Sequence, residues 1–344
     1  MTSIPLMSRE IRLIAYPTGV PDASCFELAQ SEICALEHGE VLVSNQFISV
    51  DPYMRGRMSG KTSYVAPFEL GQTLTGGAVG IVIESRSEKL QPGNAVLSFY
   101  GWREMFVAKD TDLQVVDSTL EPLSLALGAL GMPGMTAWIG LQLAEAASGD
   151  VVFISGAAGA VGSMAGQLAK LKGCTVIGSA GTDSKVQYLT KELGFDAAFN
   201  YKSGPVAKQL AAAAPGGIDV YFDNVGGDHL EAAINSMRVH GRIAACGAIS
   251  RYNSTESTPG PENMSLFISR RIRMQGFLVS DHLHRTAEFL AQVGEQVRHG
   301  DIKVAETVVL GIERAPDAFI GLFDGDNLGK MVVDVRPGRH EKRK

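Results

Sequence analysis

The stretch Val151-Val-Phe-Ile-Ser-Gly-Ala-Ala-Gly-Ala-Val-Gly162 constrains this chain more than any other. Four apolar residues stop at Ser155-Gly156, glycines recur at 156, 159 and 162, and a segment with helical periodicity runs on from Ala160. Strand, glycine turn and helix in that order open a βαβ unit, in which bare backbone N–H groups and a helix N-terminus receive a pyrophosphate. The spacing departs from GxGxxG, because Ala157 and Ala158 separate the first two glycines. Three glycines also suit a purely structural turn, so the rest of the chain has to decide.

At 344 residues there is room for two domains, each with its own core. Segments 40–50, 77–84 and 91–98 read as strands with no long helix between them. They are bounded by turns such as Gln91-Pro92-Gly93, where proline presets φ and glycine supplies an open conformation. Helical periodicity appears at 123–130 and 136–147, interrupted by Gly131-Met-Pro-Gly134. From residue 150, strands at 151–154, 175–179, 197–200, 218–223, 242–246 and 273–277 alternate with helices near 160–172, 183–193, 204–214, 228–237 and 281–299. A strand (307–310), a helix (315–322) and a strand (330–335) follow, too little for a domain of their own. The expected class is therefore α/β, with a barrel-like, mostly antiparallel catalytic domain at 1–128. A doubly wound six-stranded Rossmann domain follows at 129–302, and 303–344 returns to the first.

The net charge of −6 argues against a nucleic-acid surface, and the basic run at 336–344 reads as a solvated end. No apolar run approaches the ~20 residues of a membrane span. Cys25, Cys34, Cys174 and Cys246 are too scattered for a zinc lobe or a disulfide framework. A reducing cytoplasm is the expected location.

The end of the second strand discriminates between dinucleotides, because a carboxylate there binds the ribose 2′-hydroxyl of NAD. Here Ser179, Ala180 and Gly181 leave space and no negative charge, and Lys185 follows at the start of a helix. NADP is the expected cofactor. Asp183 is acidic and nearby, but its place before a helical run suits an N-cap. Lys185 taken alone equally suits a solvated helix surface. At the ends of the fourth and fifth strands, Asp223-Asn-Val-Gly-Gly227 and Cys246-Gly-Ala-Ile-Ser-Arg-Tyr252 occupy positions where ligands of open α/β sheets gather.

A barrel followed by a nucleotide domain invites comparison with zinc alcohol dehydrogenases, whose metal is held by cysteine and histidine at separate turns. The corresponding turns here, Asp51-Pro-Tyr-Met-Arg55 and Gly76-Gly77, contain neither, so no metal is expected. Hydride must then go to a carbon that accepts it readily, and the β-carbon of an enone fits. The enolate that forms needs hydrogen-bond donors and an acid, tasks that tyrosine suits.

The motifs Val50-Asp-Pro-Tyr-Met-Arg55, Gly131-Met-Pro-Gly-Met-Thr136, Gly156-Ala-Ala-Gly-Ala-Val-Gly162, Phe199-Asn-Tyr-Lys202, Tyr221-Phe-Asp-Asn-Val-Gly-Gly227, Cys246-Gly-Ala-Ile-Ser250 and Gly325-Asp-Asn-Leu-Gly-Lys330 span nearly the whole chain. On them it resembles the zinc-independent medium-chain dehydrogenases/reductases. More narrowly, it resembles the leukotriene B4 12-hydroxydehydrogenase/prostaglandin reductase group, with the bacterial NADPH-dependent curcumin reductases. The resemblance implies pyrophosphate contacts from Gly159, Ala160, Val161 and Gly162, and a 2′-phosphate held by Lys185 and Tyr201. It implies that Asn224 and the turn of Cys246, Gly247, Ala248, Ile249, Ser250 and Tyr252 line the adenosine and pyrophosphate channel. Phe277, Leu278 and Val279 would pass behind the nicotinamide, and Asn327 would reach back from the C-terminal return. Tyr252, Tyr53 and Tyr64 are the candidates for contact with the enone, Tyr252 first because its turn lies nearest the cofactor. Barrel-wall packing is the other reading of Tyr53 and Tyr64, and the proton donor to the enolate stays open between a tyrosine, water and the ribose hydroxyl. The loop 251–261 is polar and marks the pocket's own character.

The implied activity is NADPH-dependent reduction of the C=C bond of α,β-unsaturated ketones such as curcumin or oxidised-lipid ketones, by a homodimer joined through the nucleotide domains. An NADPH quinone reductase and a non-catalytic NADPH-binding interaction protein are the alternatives.

Overall fold

The computed structural model describes residues 6–257, 259–336 and 338. Most of the basic end, 336–344, lies outside the described residues. By contacts the chain divides into two compact units. One runs through Leu127 and takes up Glu306–Asn327 and the chain from Met331; the other holds Gly128–Ala305 and Leu328–Lys330.

In the first unit, β1 (Met7–Leu13) pairs antiparallel with β2 (Phe26–Glu32). There follow β3 (Glu40–Ser49), the single helical turn α1 (Met54–Arg57), β4 (Ala78–Ser85), β5 (Ala95–Ser98), β6 (Met105–Lys109) and β7 (Gln114–Val115). β3 is the spine: β4 and β6 both pair with it antiparallel. Its valines and isoleucine are buried, as expected of a strand with neighbours on both sides.

The second unit starts with α2 (Met132–Leu143). The interruption expected at Gly131-Met-Pro-Gly134 falls earlier, over 128–131, between a 3-10 stretch, Leu123–Leu127, and α2, so the helix expected over 136–147 begins at Met132 and ends at Leu143. Pro133 sits in the helix's first turn, where a missing N–H costs nothing because it would have had no intrahelical acceptor. The chain then alternates through β8 (Val151–Ile154), α3 (Ala160–Leu171), β9 (Thr175–Ala180), α4 (Asp183–Lys191), β10 (Ala197–Asn200) and α5 (Val206–Ala213). It continues through β11 (Ile218–Asp223), α6 (Gly227–Ser236), β12 (Met237–Ala245), α7 (Leu266–Arg270), β13 (Arg273–Gly276) and α8 (Thr286–His299). The six strands are parallel in the order β10-β9-β8-β11-β12-β13. The order reverses between β8 and β11, so a ligand crevice opens at their carboxyl ends.

Boundaries also differ at β12 and α8. β12 begins at Met237 rather than 242, with a register shift against β11 between Ile218 and Val220 and a positive φ of 66° at His240. That irregularity hides the strand's first half from a period-2 reading. The helix expected over 281–299 starts only at Thr286, after a 3-10 stretch, Val279–Arg285.

The chain closes with β14 (Glu306–Leu310), α9 (Ala315–Asp324) and β15 (Lys330–Asp334). β15 enters between β14 and β3 in a seven-stranded sheet, six of whose strands run in the order β14-β15-β3-β4-β5-β7 while β6 pairs with β3 off that path. The first unit's core gathers around Trp102, which is fully buried, stacks on Phe26 at 6.1 Å and meets Phe319 edge-on at 6.1 Å. Its φ of 60° is unusual for a bulky residue and is held there by that packing. The expected return of 303–344 is split. Gly329 donates its N–H to Ala158 O (2.8 Å) and Lys330 donates to Ala305 O (3.0 Å), which ties Leu328–Lys330 to the second unit.

Candidate active site

β8 ends at Ile154, and Gly156 turns the chain with a φ of 59° that side chains other than glycine rarely adopt. Gly159 is the N-cap of α3 with no side-chain hydrogen bond, and the first bond into the helix runs from Ser163 N–H to Gly159 O (3.0 Å). The N–H groups of Ala160, Val161 and Gly162 therefore precede the helical ladder, with the positive end of the helix dipole behind them. Gly162 has a packing role as well. A Cβ there would come within 2.7 Å of Ala157 Cα, so the helix can approach its own turn only with glycine at this position. An anion fits this N-terminus.

The adenosine side is built from β9 and the turn after β10. Ser179 and Ala180 are buried, and a Cβ at Gly181 would stand 3.2 Å from the Tyr201 hydroxyl oxygen. α4 is capped by Thr182, whose Oγ1 accepts the Lys185 N–H (3.3 Å). Asp183 is thus the helix's first residue and not its N-cap, the correction following from Thr182 having the extended backbone that a cap needs. The Asp183 carboxylate accepts from Asn200 Nδ2 (2.8 Å). Tyr201 opens the 3-10 turn Tyr201–Ser203 and is 37% exposed. Its ring meets His229 edge-on at 5.2 Å. Lys185, Tyr201 and the carboxylate-free end of β9 thus belong to neighbouring segments at one edge of the sheet.

At the switch point, a network unnoticed in the sequence joins three segments. The buried Tyr221 hydroxyl lies 2.9 Å from Ser155 Oγ and 2.7 Å from Asp223 Oδ1. Asp223 Oδ1 also accepts from the N–H groups of Val225 (3.0 Å) and Gly226 (2.7 Å). Burial raises the Asp223 carboxyl despite these bonds, and drives the Tyr221 phenol well above its ordinary value. Asn224 is pinned to the glycine turn, its N–H to Ser155 Oγ (3.0 Å) and its Nδ2 to Ser155 O (2.8 Å). The only sequence signal was the polar trio Ser155, Tyr221 and Asp223 at the ends of apolar strands.

The turn after β12 locks onto the same loop. Cys246 and Gly247 donate to Asp223 O (2.9 and 3.0 Å), Ile249 to Asn224 O (3.2 Å), and Ser250 to Val225 O (3.2 Å). Burial pushes the Cys246 thiol up to about 12, with the Asp223 charge adding to it, so it is an inert packing group. The Ala248 N–H donates to the Tyr252 hydroxyl oxygen (3.4 Å). Tyr252 is half-buried, and burial raises its phenol, with only the Ala248 bond opposing. The oxygen accepts from the turn, which leaves the phenolic proton to donate. Phe277 and Leu278 follow β13 and Val279 opens the 3-10 stretch; the Phe277 ring meets Phe222 edge-on at 6.4 Å.

Asn327 lies between α9 and β15 and counts with the first unit, two residues before Gly329, which bridges to Gly159. Tyr53 and Tyr64 also belong to the first unit. Tyr53 is the N-cap of α1, beside Asp51, whose carboxylate accepts from Ser49 Oγ. Burial, then the Asp51 charge, push the Tyr53 phenol far up, against the opposing charge of Arg57. Arg57 bonds Ala66 O (2.8 Å) and Thr75 O (3.1 Å), stacks 3.8 Å over Phe68, and interacts electrostatically with both Tyr53 and Tyr64. Tyr64 is 62% exposed, which sets it apart from barrel-wall packing, whereas Tyr53 packs against the core. Arg57 escaped the sequence reading; its i, i+4 spacing from Tyr53 was the available signal.

Among the described residues no group of three His, Cys, Asp or Glu is placed to hold a metal ion. Residues 9–116 match the family described as the N-terminal domain of oxidoreductase, and residues 160–295 that described as zinc-binding dehydrogenase. The chain is 39% identical over 329 residues to the NADPH-dependent curcumin reductase of Escherichia coli (strain K12), covering 94% of this chain and 95% of the relative. To the 2-alkenal reductase (NADP(+)-dependent) of Nicotiana tabacum it is 43% identical over 339 residues, covering 95% and 97%. The crystal structure of CurA in complex with NADPH from Vibrio vulnificus matches with a TM-score of 0.91 and 41% identity, over 95% of this chain and 99% of that one. The chain belongs to the medium-chain dehydrogenases/reductases, in the group of the prostaglandin, curcumin and alkenal reductases.

Proposed function

We propose that this protein is an NADPH-dependent reductase of the C=C bond of α,β-unsaturated ketones. The observation that carries the choice of cofactor is the end of β9, where Ser179, Ala180 and Gly181 present no carboxylate beside the Tyr201 hydroxyl and the helix bearing Lys185. The uncapped N-terminus of α3 fits the pyrophosphate. Relatives named as curcumin and alkenal reductases, at about 40% identity over nearly the whole chain, support the substrate class.

Gly159, Ala160, Val161 and Gly162 receive the pyrophosphate, Lys185 and Tyr201 the 2′-phosphate. Asn224 and the 246–252 turn line the channel, with Phe277, Leu278, Val279 and Asn327 assigned to the nicotinamide side. When bound, NADPH supplies the hydride that adds to the enone β-carbon. The C=C π pair then forms the double bond between the α-carbon and the carbonyl carbon, and the C=O π pair moves onto the oxygen, giving the enolate. The Tyr252 phenol donates a hydrogen bond to that oxygen, and the α-carbon takes a proton that derives from water, directly or through a tyrosine or the ribose hydroxyl, which completes the saturated ketone as the C=O bond re-forms. Tyr53 and Tyr64 are assigned to substrate contact.

All four cysteines are free and no helix among the described residues is long and apolar enough to cross a membrane, which suits a reducing cytoplasm. β13 is exposed along its whole length at the edge of the sheet, with Met274 on it and Ile268 just before, and we assign this edge to a homodimer contact.

The test is NADPH oxidation with a panel of enones and quinones, with product analysis. A saturated ketone is expected. A hydroquinone as the sole product would transfer the protein to the quinone reductases, and absence of turnover with every acceptor would leave a binding protein.

A further inference from the structure

His229, on the first turn of α6, takes no part in the chemistry above, yet it is only 5% exposed and its Nε2 is buried with no partner among the described residues. A buried ring nitrogen left without a hydrogen bond is unfavourable, so what the fold uses here is the aromatic ring and not its nitrogen. What a histidine ring adds here is its position between two aromatics. It lies parallel to Phe153 (6.5 Å between centroids, 6° between planes) and perpendicular to Tyr201 (5.2 Å, 75°). Phe153 is fully buried and itself stacked on Tyr221 (5.1 Å) and Phe199 (5.8 Å), so His229 rests on an immobile platform.

Tyr201 is different. More than a third of it is exposed, and its backbone belongs to a three-residue 3-10 turn. An exposed tyrosine on so short an element samples several rotamers unless a neighbour selects one. Its ring makes the edge-on contact with His229 while its hydroxyl lies beside Gly181, at the end of β9.

We propose that His229 is a positioning residue: its ring holds Tyr201 in the orientation that recognises the 2′-phosphate and so sets the preference for NADP over NAD. The proposal rests on the assignment of Tyr201 and Lys185 to the 2′-phosphate. His229 does not bind the phosphate as a cation. Burial lowers its pKa to about 4 against the pull of the Asp228 carboxylate, so the ring is neutral at working pH.

The experiment measures dissociation constants by calorimetry for adenosine 2′,5′-bisphosphate and for 5′-AMP. It uses the wild type, His229→Ala, His229→Leu, His229→Phe and Tyr201→Ala with and without His229→Ala. Removing the aromatic edge (Ala or Leu) is expected to weaken the bisphosphate about two- to tenfold, the range of an edge-to-face aromatic pair, with 5′-AMP unchanged. Phe is expected to restore affinity to within about twofold of wild type, and His229→Ala to add nothing once Tyr201 is Ala. His229→Leu keeps the volume filled if the alanine variant loses its fold. Equal weakening of both ligands, wild-type selectivity in the leucine variant, or failure of Phe to restore affinity would overturn the proposal. A wild type that binds the two ligands equally would instead refute the 2′-phosphate assignment beneath it.

Discussion

Tyr252 shows how a single side chain can be tuned by its own turn. Burial raises its phenol above the ordinary value of about 10, outweighing the Ala248 N–H, whose bond to the oxygen pulls the other way. The proton therefore stays on the phenol as pH rises through the neutral and mildly alkaline range, and Tyr252 acts as a hydrogen-bond donor. Turnover in the wild type should show no alkaline fall from this group below about pH 10. Tyr252→Phe should lower kcat at least about tenfold, because a donor to a developing oxyanion commonly contributes 10²–10³-fold. Steady-state kinetics across pH check both statements, and undiminished turnover in the variant would remove Tyr252 from the mechanism.

At the scale of elements, α3 and its glycine turn form one packed object. A Cβ at Gly162 would press on the backbone of Gly156 and Ala157 at once, and neither can give way as a flexible side chain would. Gly162→Ala should cost about 1–3 kcal/mol of stability by overpacking and lower the melting temperature by several degrees. It should also weaken NADPH binding by roughly tenfold, since the N–H groups proposed to receive the pyrophosphate move with the turn; thermal melts and fluorescence titration read the two effects. This element was legible in the sequence because strand, turn and helix each carry a local signal. The six parallel strands were legible for the same reason. Pro133 misled because proline's meaning depends on whether it falls inside a helix or on its first turn, a matter of one residue. The first half of β12 was hidden by His240 and the register shift, which break alternation. Among the proposed site residues, Lys185 stood out only beside the carboxylate-free end of the second strand, and Tyr201 only through resemblance. Ser155, Tyr221, Asp223, His229 and Arg57 act through partners far along the chain, and no local pattern reports such partners.

At the scale of the whole molecule, the open edge of β13 is the feature most in need of a neighbour. Its four residues are exposed, and Ile268 is 82% exposed just before it. An edge strand left this way is a template for pairing. Light scattering on the wild type should give twice the mass of one chain, and Ile268→Asp combined with Met274→Asp should shift it toward one. A wild type that runs as a single chain at micromolar concentration would sink the dimer assignment.

Two pieces of the fold come from one short run of chain. Leu328–Lys330 completes the backbone bonding of the glycine turn through Gly329, and the strand it leads into fills the gap between β14 and β3. During synthesis the turn emerges half a chain length before its partner does. A nascent chain that has emerged only as far as α8 therefore lacks the turn's partner and the last two strands of the sheet, β14 and β15. The backbone bonding of the glycine turn is complete once Gly329 has emerged, and that of the sheet only once Asp334 has.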